Sequence, residues 1–340
     1  MKLSLAPMEG ITTHVFRRAL HRHFGGVDIF FTPFIAAAHT NARERRDLLP
    51  ENNPGMHVIP QMLTDSVSDL VSLAGELKKM GFTELNLNFG CPSNTVVRGG
   101  RGAGFLARPD NLRSFLDGAF SACPLPLSAK TRIGYRDPAE WEGLLHIYAD
   151  FPFTSLTVHA RTGVMMYSGE ANPAYALQAA ERLPFPVIYN GDIRSPEDYE
   201  EICSVLGKSG QSPLPESPTG LAGTHGRASA ITRIMIGRGL ITNPALASRI
   251  KSKVAGTPSM GSSTVAADIL QDPRFPAFHD DLLAGYGQEG LPMKKQLAKM
   301  KELWAYFFQQ SSVDMELRRK IFSALTLPEY EAAVSQILNR

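Results

Sequence analysis

The chain has 340 residues, 43% hydrophobic and 20% charged, with a formal net charge of +2. That size accommodates one large domain and a small one, and the balance excludes disordered and fibrous classes. A charge so near zero names no nucleic-acid partner, so any basic surface has to be argued locally. Three cysteines, Cys91, Cys123 and Cys203, stand at spacings that suit neither a disulfide framework nor a zinc site, and no metal is expected. No stretch approaches the roughly 18 apolar residues of a membrane span. The apolar run after Met1 is too short for a signal peptide. The expectation is a cytoplasmic protein in a reducing setting, away from membranes and monomeric.

Eight short apolar runs read as strands: Leu3–Ala6, Ile29–Thr32, His57–Gln61, Glu84–Asn88, Leu127–Thr131, Ser155–His159, Val187–Asn190 and Ile234–Ile236. Between them, helical spacing covers Thr12–Arg22, Ser66–Met80, Asn111–Ala122, Ala139–Ala149, Pro173–Arg182 and Pro196–Leu206. Ser66 and Ser195 read as helix starts, the second with Pro196 at the first helical position and two acids in the first turn. This alternation predicts an α/β fold, a parallel (β/α)8 TIM barrel. A doubly wound open sheet is the weaker alternative, because Pro7-Met8-Glu9-Gly10 is no dinucleotide fingerprint.

After Pro244 the pattern changes. Thr257–Ser263 reads as a linker, and Leu291–Phe308 and Met315–Leu325 carry helical periodicity without strands. The expected division is a catalytic barrel over residues 1–250 and a small all-helical domain over 251–340. Gly207–Gly226, with Pro213, Pro215 and Pro218, fits neither helix nor strand. It precedes the eighth strand, on the bottom face of a barrel, and is expected to be a mobile insertion without a catalytic role.

Barrel active sites form at the C-terminal ends of the strands. Here those ends read Pro7-Met8-Glu9, Gln61-Met62, Asn88 with Cys91, Lys130 with Arg132, His159 with Arg161, Asn190-Gly191-Asp192, and Gly237-Arg238. One polar residue where a strand stops is ordinary, since a loop begins there. Lys, His, Gln and Asn converging on one rim are not. Asn190-Gly191-Asp192 and Gly237-Arg238-Gly239 follow strands seven and eight, where such barrels commonly bind phosphate, and an arginine fork suits that group. An ammonium such as Lys130 beside His159 suits the electron-rich edge of a flavin, with Gln61 on the ring's pyrimidine edge and the Pro7-Met8 backbone against its face. A sugar phosphate would suit the same lysine and phosphate cup, so both ligands stay open on residue chemistry alone.

The segment Asn88-Phe89-Gly90-Cys91-Pro92-Ser93 leads into a glycine-rich stretch, Arg98–Gly104. An ordinary thiol, with a reference pKa of about 8.5, keeps its proton at neutral pH and can donate it, where a carboxylic acid would be ionised. The commonest fate of a free cysteine is a small buried hydrophobe, and that reading is kept for Cys123 and Cys203. A strand-end position on a glycine-rich loop sets Cys91 apart as a proton donor.

Taken together, Ala6–Gly10, Asn88–Ser93 continuing through Val97–Ala103, Lys130–Gly134, His159–Thr162, Asn190–Asp192 and Met235–Gly239 resemble the tRNA-dihydrouridine synthase family, in order and across the whole barrel. Met293-Lys294-Lys295 and Met300–Trp304 resemble that family's helical tRNA-binding domain. The resemblance implies an FMN-dependent oxidoreductase that uses NADPH to reduce the C5–C6 double bond of particular uridines in tRNA. By position, FMN would contact Pro7, Met8, Glu9, Gln61, Lys130, His159, Asn190, Gly191, Asp192, Gly237 and Arg238. Cys91 would be the general acid, and Asn88 and Arg161 would lie near the uracil.

Two departures stand out: Met165 where the family usually has Gln, and the proline-rich insertion. For RNA backbone contact, Arg98 and Arg101 flank the site mouth. Arg43, Arg45, Arg46, Lys294, Lys295, Lys299, Lys301, Arg318, Arg319 and Lys320 are further candidates. The alternatives are an FMN barrel acting on a free pyrimidine and a catalytically inactive barrel that binds tRNA.

Overall fold

A computed structural model describes residues 1–207, 231, 233–256 and 268–339. The strands are β1 (Lys2–Leu5), β2 (Ile29–Ile35), β3 (Val58–Met62), β4 (Leu85–Phe89), β5 (Leu127–Arg132), β6 (Leu156–His159), β7 (Val187–Asn190) and β8 (Arg233–Ile236). They close into a barrel in chain order, every neighbouring pair parallel. Ser4 of β1 faces Ile29 of β2 on one side and Met235 of β8 on the other, so the sheet has no free edge. The expected TIM barrel is the observed one.

β2 runs past its expected end, through Pro33 to Ile35. A proline gives no N–H to a ladder, and the pairing with β3 shifts register between Phe31 and Phe34, where β2 takes one extra residue. That bulge accommodates the proline and lets Phe34 pair with Gln61. The surrounding helices start where the serines promised. Ser66 accepts from Asp69 N ahead of helix Val67–Lys79, and Ser195 forms a capping box with Asp198 ahead of helix Pro196–Leu206. The buried leucines of the first of these, Leu70, Leu73 and Leu77, each contribute about 2 kcal/mol of apolar burial.

Strand alternation divides the side chains between two cores. Leu3, Leu5, Phe30, Leu85, Leu87, Phe89, Leu127 and Ala129 join the large outer core beneath the helices. The opposite faces point along the barrel axis. Ala6, Ile29, Phe31, Ile59, Ile188 and Met235 form a separate apolar plug there. On the same inward face, nearer the C-terminal ends, come Gln61, Asn88, Lys130, His159 and Asn190. The apolar layer closes the barrel, and the polar layer above it faces the mouth.

Helices Phe275–Gln288, Met293–Phe307, Met315–Ser323 and Leu327–Leu338 form the helical C-terminal region. It packs on helix His14–His23: the Phe278 ring lies 6.0 Å from Phe16 and 5.2 Å from Phe24. Inside it, Trp304 Nε1 donates to the Tyr330 hydroxyl at 2.7 Å. The expected linker at 257–263, and the expected insertion from residue 208 on, lie outside the described residues. Among the described residues no helix is long and apolar enough to cross a membrane.

Candidate active site

At the C-terminal ends of the strands lies a cavity of about 380 Å³. Its wall takes Pro7, Met8 and Glu9 from the loop after β1, and Asn88 and Cys91 from β4 and its loop. Lys130 and His159 come from β5 and β6, and Asn190, Gly191, Asp192, Gly237 and Arg238 from the last two strand ends. The expected residues are thus brought together from separate strands.

Cys91 is held by neutral hydrogen bonds. Asn88 Oδ1 accepts from Cys91 N at 2.9 Å and Gly90 N at 3.1 Å. Asn88 Nδ2 donates to Gln61 Oε1 at 2.8 Å, Gln61 Nε2 to Asn86 Oδ1 at 2.7 Å, and Asn86 Nδ2 to Ser128 Oγ at 2.9 Å. From behind, Ala103 N donates to Cys91 O at 3.0 Å. Gly102 makes this approach possible: its φ is +56°, and a Cβ there would sit 2.8 Å from Cys91 O. Arg98 is exposed at the end of the short helix Asn94–Arg98 and Arg101 is half-buried; both stand outside the cavity wall.

Lys130 makes no hydrogen bond or ion pair among the described residues. Burial, reinforced by Arg132, pushes its ammonium down to about 7, with Cys91 acting in the opposite direction. Burial and the neighbouring cations Lys130, Arg132, Arg161 and Arg238 push His159 well below its ordinary range, so its ring is neutral. Its Nε2 lies 3.4 Å from Arg161 Nη1 and accepts there. Arg132 ties the rim together, donating to Gly90 O, Thr162 O and Met166 O, each at 2.8 Å.

The far rim is built from charges. Asp192 accepts from Arg161 Nη2 through one oxygen and from Arg238 Nη2 at 2.8 Å through the other. Burial alone would raise the Asp192 carboxyl, but these two guanidiniums hold it below its ordinary value. Arg238 also lies over the Tyr167 ring at 4.7 Å. Gly239 lets the two loops meet, since a Cβ there would fall 2.0 Å from Ile193 O.

Two expected site residues do not stand in the cavity wall. Gln61 is fully buried with both ends of its amide engaged, behind the wall and not in it. Arg161 is 1% exposed and spends its guanidinium on Ser168 O, Gly169 O and Asp192, so it braces Asp192 and does not line the cavity. Seven lining side chains escaped the sequence reading: Ile11, Phe34, Tyr167, Ile193, Arg194, Glu302 and Tyr306. Tyr167, beside the noted Met165, faces Arg238. Glu302 and Tyr306 reach the wall from helix Met293–Phe307. The same helix sends Lys299 Nζ to Gly10 O at 2.8 Å, fixing the loop after β1.

A dihydrouridine synthase (Dus) family model matches residues 4–211, which carry Cys91, Lys130, His159 and the loop after β7. The chain is 28% identical over 333 residues to "Probable tRNA-dihydrouridine synthase 2" of Bacillus subtilis, covering 96% of this chain and 91% of that one. It is 29% identical over 324 residues to the tRNA-dihydrouridine(16) synthase of Shewanella oneidensis, covering 91% and 90%. The tRNA-dihydrouridine(16) synthase of Pseudomonas syringae pv. tomato is 29% identical over 266 residues, covering 75% and 76%. With a family model that matches well over half of its length, across the first seven strands of the closed barrel, the chain belongs to the dihydrouridine synthase family.

Proposed function

We propose that the protein reduces the C5–C6 double bond of a uridine in tRNA, with FMN held in the strand-end cavity and NADPH as reductant. The cavity fits the cofactor on three counts. Its volume, about 380 Å³, falls in the range of ordinary ligand sites of about 300–1,000 Å³. Four cations line it, Lys130, Arg132, Arg194 and Arg238, against three carboxylates, of which Asp192 is already tied up by Arg161 and Arg238. That balance favours an anionic ligand. Lys130 is an unpaired, desolvated ammonium, which a ring gaining negative charge would complete.

Asn190, Gly191, Gly237 and Arg238 would hold the phosphate end; Lys130 and His159 the ring; Pro7, Met8 and Glu9 its exposed edge. Bound there and reduced, FMN supplies a hydride for C6 of the uracil. Cys91 holds the matching proton: the S–H bond breaks, C5 gains the proton, and the charge that would collect at C5 and O4 is neutralised. Lys130 and Arg132 line the same cavity as the sulfur. Asn88 fixes the position of the Cys91 backbone, and Arg161 holds Asp192. The target base has to leave the RNA stack to reach this depth. Arg98 and Arg101, on the segment that follows Cys91, would meet RNA phosphates.

The observation that carries the reading is that Cys91, held by neutral contacts, lines the same cavity as the unpaired Lys130. Cys91→Ala tests it. The variant should keep its flavin spectrum and NADPH oxidation but lose the two-hydrogen mass gain in tRNA by a factor of about 100 or more. Unchanged dihydrouridine formation would remove Cys91 from the mechanism.

A further inference from the structure

A second cavity, of about 470 Å³, lies beside the first, between the loop after β1 and the C-terminal helices. Glu302 borders both, and Gly10 of the second cavity sits between Glu9 and Ile11 of the first. Val15, Leu291 and Ala298 give it apolar walls. Tyr286 also lines it; this residue is 4% exposed, and its hydroxyl has no hydrogen-bond partner among the described residues. The charged groups that act on that hydroxyl, Glu302, Asp47 and Arg43, line the same cavity. Burying a hydroxyl without a partner is unfavourable, so a ligand atom that reached this one would satisfy it.

The acids of this cavity are engaged. Asp47 and Glu289 grip His14 from its two ring nitrogens at 3.0 and 3.1 Å. Glu289 also takes Arg46 at 2.8 Å, and Glu302 takes Lys299 at 3.0 Å. The cations are less committed. Arg43 meets Glu9 only at 3.9 Å, and the exposed Lys295 ammonium has no ion pair among the described residues. An apolar slot, a free hydroxyl on its wall and two available cations at its rim match a base, its polar edge and its phosphate.

We propose that this cavity receives a second nucleotide of the same RNA, a neighbour of the target uridine. Its base lies against Val15, Leu291 and Ala298, Tyr286 bonds the base edge, and Arg43 and Lys295 meet the phosphate. The inference rests on the tRNA reading above. A strand whose uridine enters the flavin cavity passes Glu302, which borders both cavities, and the next nucleotide arrives at this mouth.

Ala298 is exposed on its helix, so Ala298→Trp fills the cavity without displacing a buried side chain. Flavin content and NADPH oxidation should match wild type, while the KM and Kd for unmodified tRNA rise about tenfold, the scale of one lost base-stacking contact. Tyr286→Phe, which drops only the hydroxyl, should raise KM about threefold. The decisive comparison uses tRNA lacking the base on either side of the modified uridine. One of these substrates should cost wild type the same factor and cost Ala298→Trp nothing further. Additive losses, or variants that bind and reduce tRNA like wild type, overturn the inference alone. A wild-type protein that forms no dihydrouridine overturns both this inference and the function it rests on.

Discussion

The loop after β4 and the rim after β6, β7 and β8 serve one cavity and are built from opposite materials. Neutral amides hold the first: Ser128, Asn86, Gln61 and Asn88 pass hydrogen bonds along to the backbone of Cys91. Ion pairs hold the second, with Asp192 between Arg161 and Arg238. The difference suits the two tasks proposed for them. A group that must lose and regain a proton is best held by contacts that do not titrate. An anion is best anchored by fixed charge, at the cost of sensitivity to salt.

Breaking the neutral side should have the largest effect. Asn88→Ala removes the acceptor for two backbone N–H groups and the support of Gln61 together. Single-turnover dihydrouridine formation should fall about 100-fold with FMN affinity little changed, the scale expected for a small misplacement of a catalytic group. If FMN affinity falls in parallel, the two regions are one unit. Breaking the charged side should act the other way. Arg238→Ala should weaken FMN binding about tenfold, measured by fluorescence titration, and wild-type affinity should drop more steeply with salt than the variant's. Equal salt slopes would take Arg238 out of the anion site.

The smallest effect sharpens the boundary between the two, at Lys130. Its pKa falls from 10.5 to about 7 in the fold. Between those values the unfolded chain holds a proton that the folded chain has released, so flavin-free protein should gain stability as pH rises from about 7. Lys130→Met should remove that part of the slope, up to roughly 1 kcal/mol per pH unit, in urea unfolding at successive pH values. Parallel slopes in both proteins would mean the ammonium is solvated.

The barrel was legible because each strand is a short apolar run followed by a stretch with helical spacing, and these signals are local. Cys91 was legible because a cysteine between a strand end and a glycine-rich loop has few structural uses. The roles of Gln61 and Arg161 were not. Both are polar residues at strand ends, yet the pairing of Gln61 opposite Asn86 turns its amide to its neighbours. The turn Met165–Gly169 curls carbonyls onto Arg161 in the same way. Register and loop closure decide such cases, and neither is written in residue type. Pro33 shows the same limit: the bulge that tolerates it extends β2 beyond the reach of a propensity argument. Glu302 and Tyr306 were hidden for another reason, since they lie far along the chain on a helix that looks like an ordinary amphipathic one.

That helix has a consequence for how such a chain can change. Met293–Phe307 supplies a wall of the strand-end cavity, a clasp on Gly10 and a side of the neighbouring cavity. The C-terminal region is therefore not a detachable handle. Grafting another helical unit onto this barrel would reshape both cavities at once, so the two are inherited together.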